Sequence, residues 1–278
     1  MTTPAPERPA LTDRAALLRQ RDRAIRQGLA DVLHRLAADE IQDRLSEINR
    51  RFTAPAVVTG FPGLWAEFFP GARIVPDDAV LDLQPGAHDL VIHAMALHWA
   101  DDPVGQIVQC ARALREDGLF ISACFGGQTL HELRGALAQA ESDLTGGLSP
   151  RILPMGEIRD MGQLLSRAGL ALPVADVVTQ RASYRDLIHL ARDLRAMGEG
   201  NAMAARLRRP TGRTVLARAA EILADRNPDR DDPSRVAVTF DLVFLTGWAP
   251  SESQQKPLRP GSAKTRLEDA LNEIRTKT

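Results

Sequence analysis

His98 and Trp99 are candidates for chemistry, because they follow the predicted strand 88–93 after four intervening residues. A histidine beyond the end of a strand can accept or release a proton near neutral pH, and a neighbouring tryptophan can cover a ligand with its flat ring. The alternative is structural: Trp99 packs the loop, and His98 is a half-buried polar group with its hydrogen bonds satisfied. His93, at the end of the strand itself, is better explained as structural.

A glycine-containing turn, from Gly60 to Gly63, follows the short apolar segment 56–59 and leads into a predicted helix at 64–69. Ligands of open α/β sheets bind beyond the carboxyl ends of the strands, so this turn is a candidate ligand site. An ordinary tight turn is the simpler interpretation. No G-x-G-x-x-G follows the first strand, which argues against a nicotinamide-dependent dehydrogenase.

The elements that must position these residues alternate between strand and helix from 56 to 180. This alternation predicts an α/β fold whose mostly parallel sheet carries helices on both faces. The predicted strands are 56–59, 73–75, 88–93, 119–124, 174–180 and 236–246, with a further short strand considered at 79–83. The predicted helices are 64–69, 103–116, 129–144 with a capping box of Thr129 and Glu132, 156–168, 183–197 and 212–225.

Three parts are predicted along the chain. Residues 1–50 form an N-terminal helical arm with a break at Gly28, and its apolar positions include Leu18, Ile25 and Val32. The main domain covers 51–248, with a helical cap near 183–226. Residues 249–278 have the composition of a flexible tail that could hold a short helix near 266–275.

The chain carries 35 basic and 36 acidic side chains, a balance that argues against binding to nucleic acid or to an anionic membrane. Residues 151–278 are more basic, with 21 basic and 16 acidic groups. Their densest cluster could dock an acidic carrier or partner protein, or it could be a solvated loop. The cluster consists of Arg206, Arg208, Arg209 and Arg213.

Cys110 and Cys124 have neither a metal-binding spacing nor a disulfide framework, so we interpret them as small buried hydrophobic groups. The first residues lack the apolar stretch of a signal peptide, and no segment is long and apolar enough to span a membrane. Three lysines against 32 arginines are typical of a GC-rich genome. These observations predict a bacterial, cytoplasmic protein.

The stretch 88–118 and five shorter segments that follow one another in order resemble a known family. The five segments are 97–99, 125–134, 146–150, 193–199 and 247–248. Together they resemble the class I S-adenosylmethionine-dependent methyltransferases. The resemblance is to a branch whose mitochondrial members assist assembly of respiratory complex I, and to the malonyl-carrier-protein methyltransferase of biotin synthesis. It implies a seven-stranded Rossmann-like sheet, an S-adenosylmethionine pocket, a helical cap and transfer to a protein or carrier-linked substrate. For some eukaryotic relatives the chemistry implied is arginine hydroxylation.

The resemblance also assigns residues to the two sides of a site. On the cofactor side are Thr59, Gly60, Gly63, Asp77, Asp78, His93, Ala94, Met95 and Trp99. On the substrate side are Phe125, Gly126, Gly127, Arg134 and Glu199. Arg134 is expected to pair with Glu199 or with an acidic substrate. His98 is the candidate base, and no metal is expected.

The sequence departs from the family around the cofactor. Thr59 stands where the family has an aspartate, and Pro62 removes a backbone donor from the turn. Only 28 residues separate Gly60 from Asp89, which is too few for two βα units and predicts that one of them is missing. The alternative function is therefore a degenerate, non-catalytic methyltransferase-fold protein that serves as a binding or assembly factor.

Overall fold

The computed structural model describes residues 10–254 of the chain. Its strands are β1 (Pro55–Thr59), β2 (Arg73–Pro76), β3 (His88–Ala94), β4 (Leu114–Gly126), β5 (Ala171–Tyr184) and β6 (Val236–Trp248). Its helices are α1 (Arg14–Gln27), α2 (Val32–Glu47), α3 (Pro62–Phe68), α4 (Pro103–Ala113), α5 (His131–Thr145), α6 (Ile158–Arg167), α7 (Leu187–Ala196) and α8 (Arg213–Arg226). A 3-10 turn, Leu97–Trp99, follows β3.

The strands form one sheet in the order β2-β1-β3-β4-β6-β5. β1 pairs in parallel with β2 and with β3, and β3 pairs in parallel with β4. β6 lies between β4 and β5 and runs antiparallel to both. The predicted α/β fold, a mostly parallel Rossmann-like sheet covered by helices, is confirmed.

The sheet is shortened after its first strand. Between β1 and β3 the described chain contains one helix, α3, and one strand, β2. The described residues therefore build six strands, whereas the family resemblance implied seven. The predicted loss of one βα unit is confirmed. Residues 79–83 form a loop and not a strand, and this loop is held by α4, because the Leu81 amide donates to the side chain of Gln109 over 2.8 Å.

Different helices cover the two faces of the sheet. Helices α2, α5, α7 and α8 pack on one face, and α4 and α6 pack on the other. Every residue of β3 is buried, as expected for a strand covered on both sides. Cys110 and Cys124 lie in the core of the second face, and burial raises the pKa of both thiols, that of Cys124 to about 12. The two cysteines are therefore buried hydrophobic groups, as predicted.

The N-terminal arm consists of α1 and α2, which are separated at Gly28 with a φ of 96°, as predicted. The predicted apolar face of α1 is wrong, because Leu18 and Ile25 are 46% and 54% exposed. The buried face carries Leu17 and Arg21 instead, together with two alanines. This face places a charged side chain inside the protein.

The boundary between α4 and β4 differs from the predicted one, because sheet pairing extends further along the chain than the side-chain pattern indicates. Helix α4 ends at Ala113, before the predicted end at 116, and β4 begins at once. Leu114 then pairs with His88 of β3, so tertiary pairing extends the strand backward.

The predicted capping box at the start of α5 is wrong. The helix begins at His131, two residues later than predicted, and the Thr129 hydroxyl donates to the carbonyl of Gly126 over 2.8 Å. Glu132 is buried and accepts a hydrogen bond from the hydroxyl of Thr239 over 2.6 Å. Its role is to hold β6 against α5.

The predicted short helix near 266–275 and most of the predicted tail lie outside the described residues. From residue 10 to residue 254, no helix combines the length and apolar character that crossing a membrane would require.

Candidate functional site

An apolar cavity of about 240 Å³ lies between the turn after β3 and the helical cap. Its apolar walls come from β4, α5, α7 and β6, and include Phe125, Leu133, Leu137, Leu194 and Phe240. At one end stand the polar residues His98, Trp99 and Glu199. Two of the residues with predicted chemistry, His98 and Trp99, are thereby brought together with Glu199 from the substrate side.

Glu199 is the centre of the polar end. One of its oxygens, Oε2, accepts a hydrogen bond from the indole nitrogen of Trp99 over 2.7 Å and lies 3.2 Å from Nε2 of His98. The side chains of Glu199 and His98 are only 8% and 3% exposed. The other carboxylate oxygen, Oε1, and Nδ1 of His98 are buried without a hydrogen-bond partner among the described residues.

The backbone after α7 fixes the position of Glu199. Gly198 has a φ of 80°, and its amide donates to the carbonyl of Arg195 over 3.2 Å. The Glu199 amide donates to the carbonyl of Leu194 over 2.9 Å. This pair of bonds is a Schellman motif, which ends the helix and turns the chain. The sequence Met197-Gly198-Glu199 therefore places the carboxylate rigidly at the pocket.

Burial by itself raises the pKa of Glu199, but His98, the charge of Arg21 and the Trp99 bond together lower it below the usual value for glutamate. The group is therefore a carboxylate at neutral pH. A buried carboxylate with one unused oxygen is suited to receive a hydrogen-bonded cation.

A second region lies where the strand order reverses, at the carboxyl ends of β1 and β3. Ligands of open α/β sheets bind in the crevice at such a point. Here the guanidinium of Arg21, from α1, lies on the backbone of Gly60: a Cβ added to this glycine would lie 2.1 Å from Nη1. The Arg21 residue is 2% exposed.

Asp77, which follows β2, holds this guanidinium in place. Nη1 of Arg21 lies 2.9 Å from both carboxylate oxygens, and Arg14 donates to the same oxygens over 2.8 and 3.0 Å. Burial would raise the pKa of Asp77, but the two arginines outweigh it and lower the pKa to about 2. Asp77 is thus fully engaged by side chains of the arm.

The other residues predicted on the cofactor side are distributed around the same strand ends. Thr59 is buried at the end of β1 and accepts a hydrogen bond from the Phe61 amide over 3.2 Å. Gly63 lies in the first turn of α3, and Asp78 is exposed and pairs with Arg14 over 3.1 Å.

Three of the predicted cofactor-side residues lie on or just after β3 and are buried. The His93 ring contacts Gln106 over 2.6 Å, and burial lowers its pKa. Ala94 pairs with Thr59 across the sheet. Met95 has a left-handed backbone with a φ of 49°, and its amide donates to the carbonyl of Ala123 over 2.8 Å.

The residues at the strand-order reversal do not fit S-adenosylmethionine in this structure. The surface of Gly60 that could face a ligand is covered by Arg21, and the carboxylate of Asp77 is paired with two arginines. Thr59 supplies no carboxylate at the end of β1, and Pro62 supplies no backbone N–H in the turn.

On the substrate side, the two glycines after Phe125 allow a close approach of protein and not of a ligand. A Cβ on Gly126 would lie 2.6 Å from Val243, and one on Gly127 would lie 2.5 Å from Asp241. The predicted pairing of Arg134 with Glu199 is wrong, because Glu199 is bound by His98 and Trp99. Nε and Nη2 of Arg134 have no partner among the described residues.

Two arginines of the predicted docking cluster are ion-paired within the chain. Arg206 and Arg208 contact Asp13, at the start of α1, over 2.9 and 3.2 Å. Arg209 and Arg213 are exposed. The arm therefore supplies an acidic partner for half of the cluster.

Sequence reasoning missed Arg14 and Arg21. Leu17, Arg21 and Ala24 are spaced as one face of a helix, so an arginine on an otherwise apolar face was visible in the sequence. Its partner Asp77 is 56 positions away and could not be assigned from spacing.

Curated proteins of two kinds are similar to this chain. Arginine-hydroxylase NDUFAF5, mitochondrial, of Homo sapiens is 36% identical over 194 residues, which are 70% of this chain and 55% of that protein. The protein of the same name from Dictyostelium discoideum is 37% identical over 188 residues, 68% of this chain and 43% of that protein. Malonyl-[acyl-carrier protein] O-methyltransferase of Laribacter hongkongensis is 34% identical over 190 residues, 68% of this chain and 61% of that protein. The chain is a homologue of both groups. The predicted family resemblance is confirmed.

The chain spans about half the length of the NDUFAF5 relatives, 43% of one and 55% of another. No family model matches the sequence. The predicted bacterial cytoplasmic location is corrected by these comparisons, because the NDUFAF5 relatives are mitochondrial proteins.

Two solved structures align over most of the chain. A protein of Bacillus halodurans assigned as a methyltransferase aligns with a TM-score of 0.47 and 11% identity, over 75% of this chain and 97% of that chain. Haemonchus contortus phosphoethanolamine N-methyltransferase 2, in complex with S-adenosylhomocysteine, aligns with a TM-score of 0.42 and 10% identity, over 77% of this chain and 53% of that chain.

Proposed function

We propose that this chain binds an arginine side chain of a protein partner in the pocket closed by Glu199. The observation that carries the proposal is the carboxylate oxygen Oε1, which is buried without a partner among the described residues. The lowered pKa keeps the group charged. An unpaired buried acceptor costs free energy, and a guanidinium that donates to it removes that cost and adds a charge-assisted hydrogen bond.

The walls of the cavity suit the rest of such a side chain. Trp99 and Phe125 supply aromatic rings, which attract a cation over their faces. Leu133, Leu137 and Leu194 supply apolar surface for the methylene groups. The volume of about 240 Å³ is below the range of roughly 300–1,000 Å³ usual for whole small molecules, and it suits one long side chain.

The geometry favours an arginine over an acidic carrier-linked group. A carboxylate placed in the pocket would face the carboxylate of Glu199, which is unfavourable at short range. The cation on the cavity wall, Arg151, is already engaged by Glu141, which its Nε contacts over 3.1 Å, and by the hydroxyl of Thr211 over 2.6 Å. Of the two substrate classes expected from the sequence, the protein substrate is therefore the better match.

The names of the relatives support the same choice in part, since NDUFAF5 is named an arginine-hydroxylase. A second candidate function is S-adenosylmethionine-dependent methyl transfer, which the homology to an O-methyltransferase favours. The filled crevice at Gly60 favours the first candidate, a methyltransferase-fold protein that binds its partner without turnover. Arg209 and Arg213 are exposed beside the cap and would contact acidic residues of that partner.

The test uses two probes whose terminal charges are removed, the N-acetyl methylamides of arginine and of citrulline. The two side chains have nearly the same shape, but that of arginine is positively charged and that of citrulline is neutral. Binding is followed by saturation-transfer NMR and by titration of the full chain. We expect the arginine probe to bind about tenfold or more tightly than the citrulline probe, as a charge-assisted bond implies.

Two variants complete the test. Glu199→Gln keeps the shape of the side chain and is expected to remove the preference for arginine. Glu221→Gln, an exposed position on α8, is the charge-matched control and should retain it. Equal affinity for the two probes, or an unchanged preference in Glu199→Gln, would overturn the proposal.

A further inference from the structure

We infer that Arg21 is the permanent occupant of the crevice at which related folds hold S-adenosylmethionine, so that a guanidinium of the chain itself takes the place of the ligand. The inference concerns the strand ends at β1 and β3 and does not depend on the pocket at Glu199.

Arg21 is in contact with two glycine turns, one at each end of its side chain. Its guanidinium lies on Gly60, with the central carbon 5.6 Å from the centroid of the Phe61 ring, a cation–π distance. Its Cα and Cγ lie against the turn after α7, where a Cβ added to Gly198 would meet them at 3.3 and 3.4 Å. Arg21 therefore fills the space between the turn after β1 and the turn after α7.

Buried charge fixes the side chain there. Arg21 and Asp77 are 2% and 3% exposed and lie 2.9 Å apart. Removing one partner of such a pair leaves an uncompensated charge in the protein, which is strongly unfavourable. Nε and Nη2 of Arg21 have no partner among the described residues, so the ion pair with Asp77 is what holds the guanidinium in this position.

The helix that carries Arg21 is itself tied down at its start. The amide of Asp13 donates to the carbonyl of Ala202 over 2.8 Å, and the hydroxyl of Thr12 donates to the carbonyl of Trp99 over 2.8 Å. Further along, Gln20 donates to the carbonyl of Asn201 over 3.1 Å. These bonds attach α1 to the cap loop and to the turn after β3, so the arm is an integral part of the domain.

The first measurement is calorimetric titration of the full chain with S-adenosylmethionine and with S-adenosylhomocysteine. We expect no saturable heat up to millimolar ligand, under conditions in which a methyltransferase known to bind the cofactor gives a normal isotherm. Saturable micromolar binding by the wild-type chain would overturn the inference.

The second measurement is a double-mutant cycle on melting temperature with Arg21→Ala, Gly60→Ala and both together. We expect Arg21→Ala to lower the melting temperature by roughly 5–15 °C. Gly60→Ala should also lower it, because the new Cβ meets the guanidinium. In the Arg21→Ala background the same glycine change should have little effect, because the space is then free.

The control cycle combines Gly60→Ala with Arg44→Ala. Arg44 is a half-buried arginine that pairs with Glu40 and Asp176 and shares none of these partners. The effect of Arg44→Ala on the melting temperature should add to that of Gly60→Ala.

If Arg21→Ala does not fold, Arg21→Lys replaces it, since a narrower cationic group also leaves room for the Cβ. Additive effects of the changes at Arg21 and Gly60 would overturn the inference.

Discussion

Trp99 and Glu199 lie 100 positions apart in the chain, and a 2.7 Å hydrogen bond from the indole to the carboxylate joins them. The bond ties the turn after β3 to the end of α7, so the main sheet and the helical cap meet at this contact. It uses one oxygen of Glu199 and leaves the other without a partner among the described residues. The same contact therefore serves both the packing of the cap and the recognition proposed for the pocket.

We predict that Trp99→Phe, which replaces the indole by a smaller ring without a donor, lowers the free energy of unfolding by about 1–3 kcal/mol, because the buried oxygen Oε2 of Glu199 loses the shorter of its two contacts. It should also weaken binding of the arginine probe, since the carboxylate is no longer held in place. Urea denaturation and probe titration measure the two effects. Trp248→Phe, on β6 and outside the cavity, is the matched control. Equal stability of Trp99→Phe and the wild type would contradict the prediction.

The low pKa of Asp77 leads us to predict that the stability of the protein falls at acidic pH. Its pKa in the folded protein is about 2, below the ordinary value of 3.8, so its ion pairs contribute stability above pH 4. The contribution, roughly 2 kcal/mol, is lost as the pH falls from about 4 to 2. In Asp77→Asn this component is absent, and the difference in melting temperature from the wild type should shrink across that interval. A difference that is constant from pH 5 to pH 2 would show that Asp77 is not the group that titrates.

Two glycines near α5 should respond to alanine in opposite directions. Gly127 has a φ of 53° and a Cβ there would lie 2.5 Å from Asp241, so Gly127→Ala should destabilise the protein by about 1–3 kcal/mol. Gly135 lies within α5 with open space around its Cβ position, and Gly135→Ala should stabilise the helix by up to about 1 kcal/mol. Chemical denaturation of the two variants measures the signs. A loss of stability in both would refute the prediction for Gly135.

Much of the fold was predictable because it rests on local patterns. The apolar run of β3 and the glycine break at Gly28 are visible in the sequence and lie where they were predicted. The short interval between Gly60 and Asp89 correctly predicted the missing unit, because chain length sets how many elements can fit.

The errors arose where tertiary contacts override local preference. Leu114 joins β4 because it pairs with β3, and Thr129 bonds Gly126 instead of capping α5. At the site, the sequence motifs identified His98, Trp99 and Glu199 as candidates. The contact between them could not be predicted, because it depends on how the cap folds back onto the sheet. The Arg21–Asp77 pair depends on the same kind of long-range approach, and one residue of that pair was overlooked.

The position of β6 has a consequence for synthesis of the protein. This strand is the last of the described elements to leave the ribosome, yet it lies between β4 and β5. A nascent chain that ends before Val236 therefore exposes two unpaired strand edges, and β5 has no neighbour to join. The sheet is completed only when β6 has been made, and until then these edges are open to pairing with other chains.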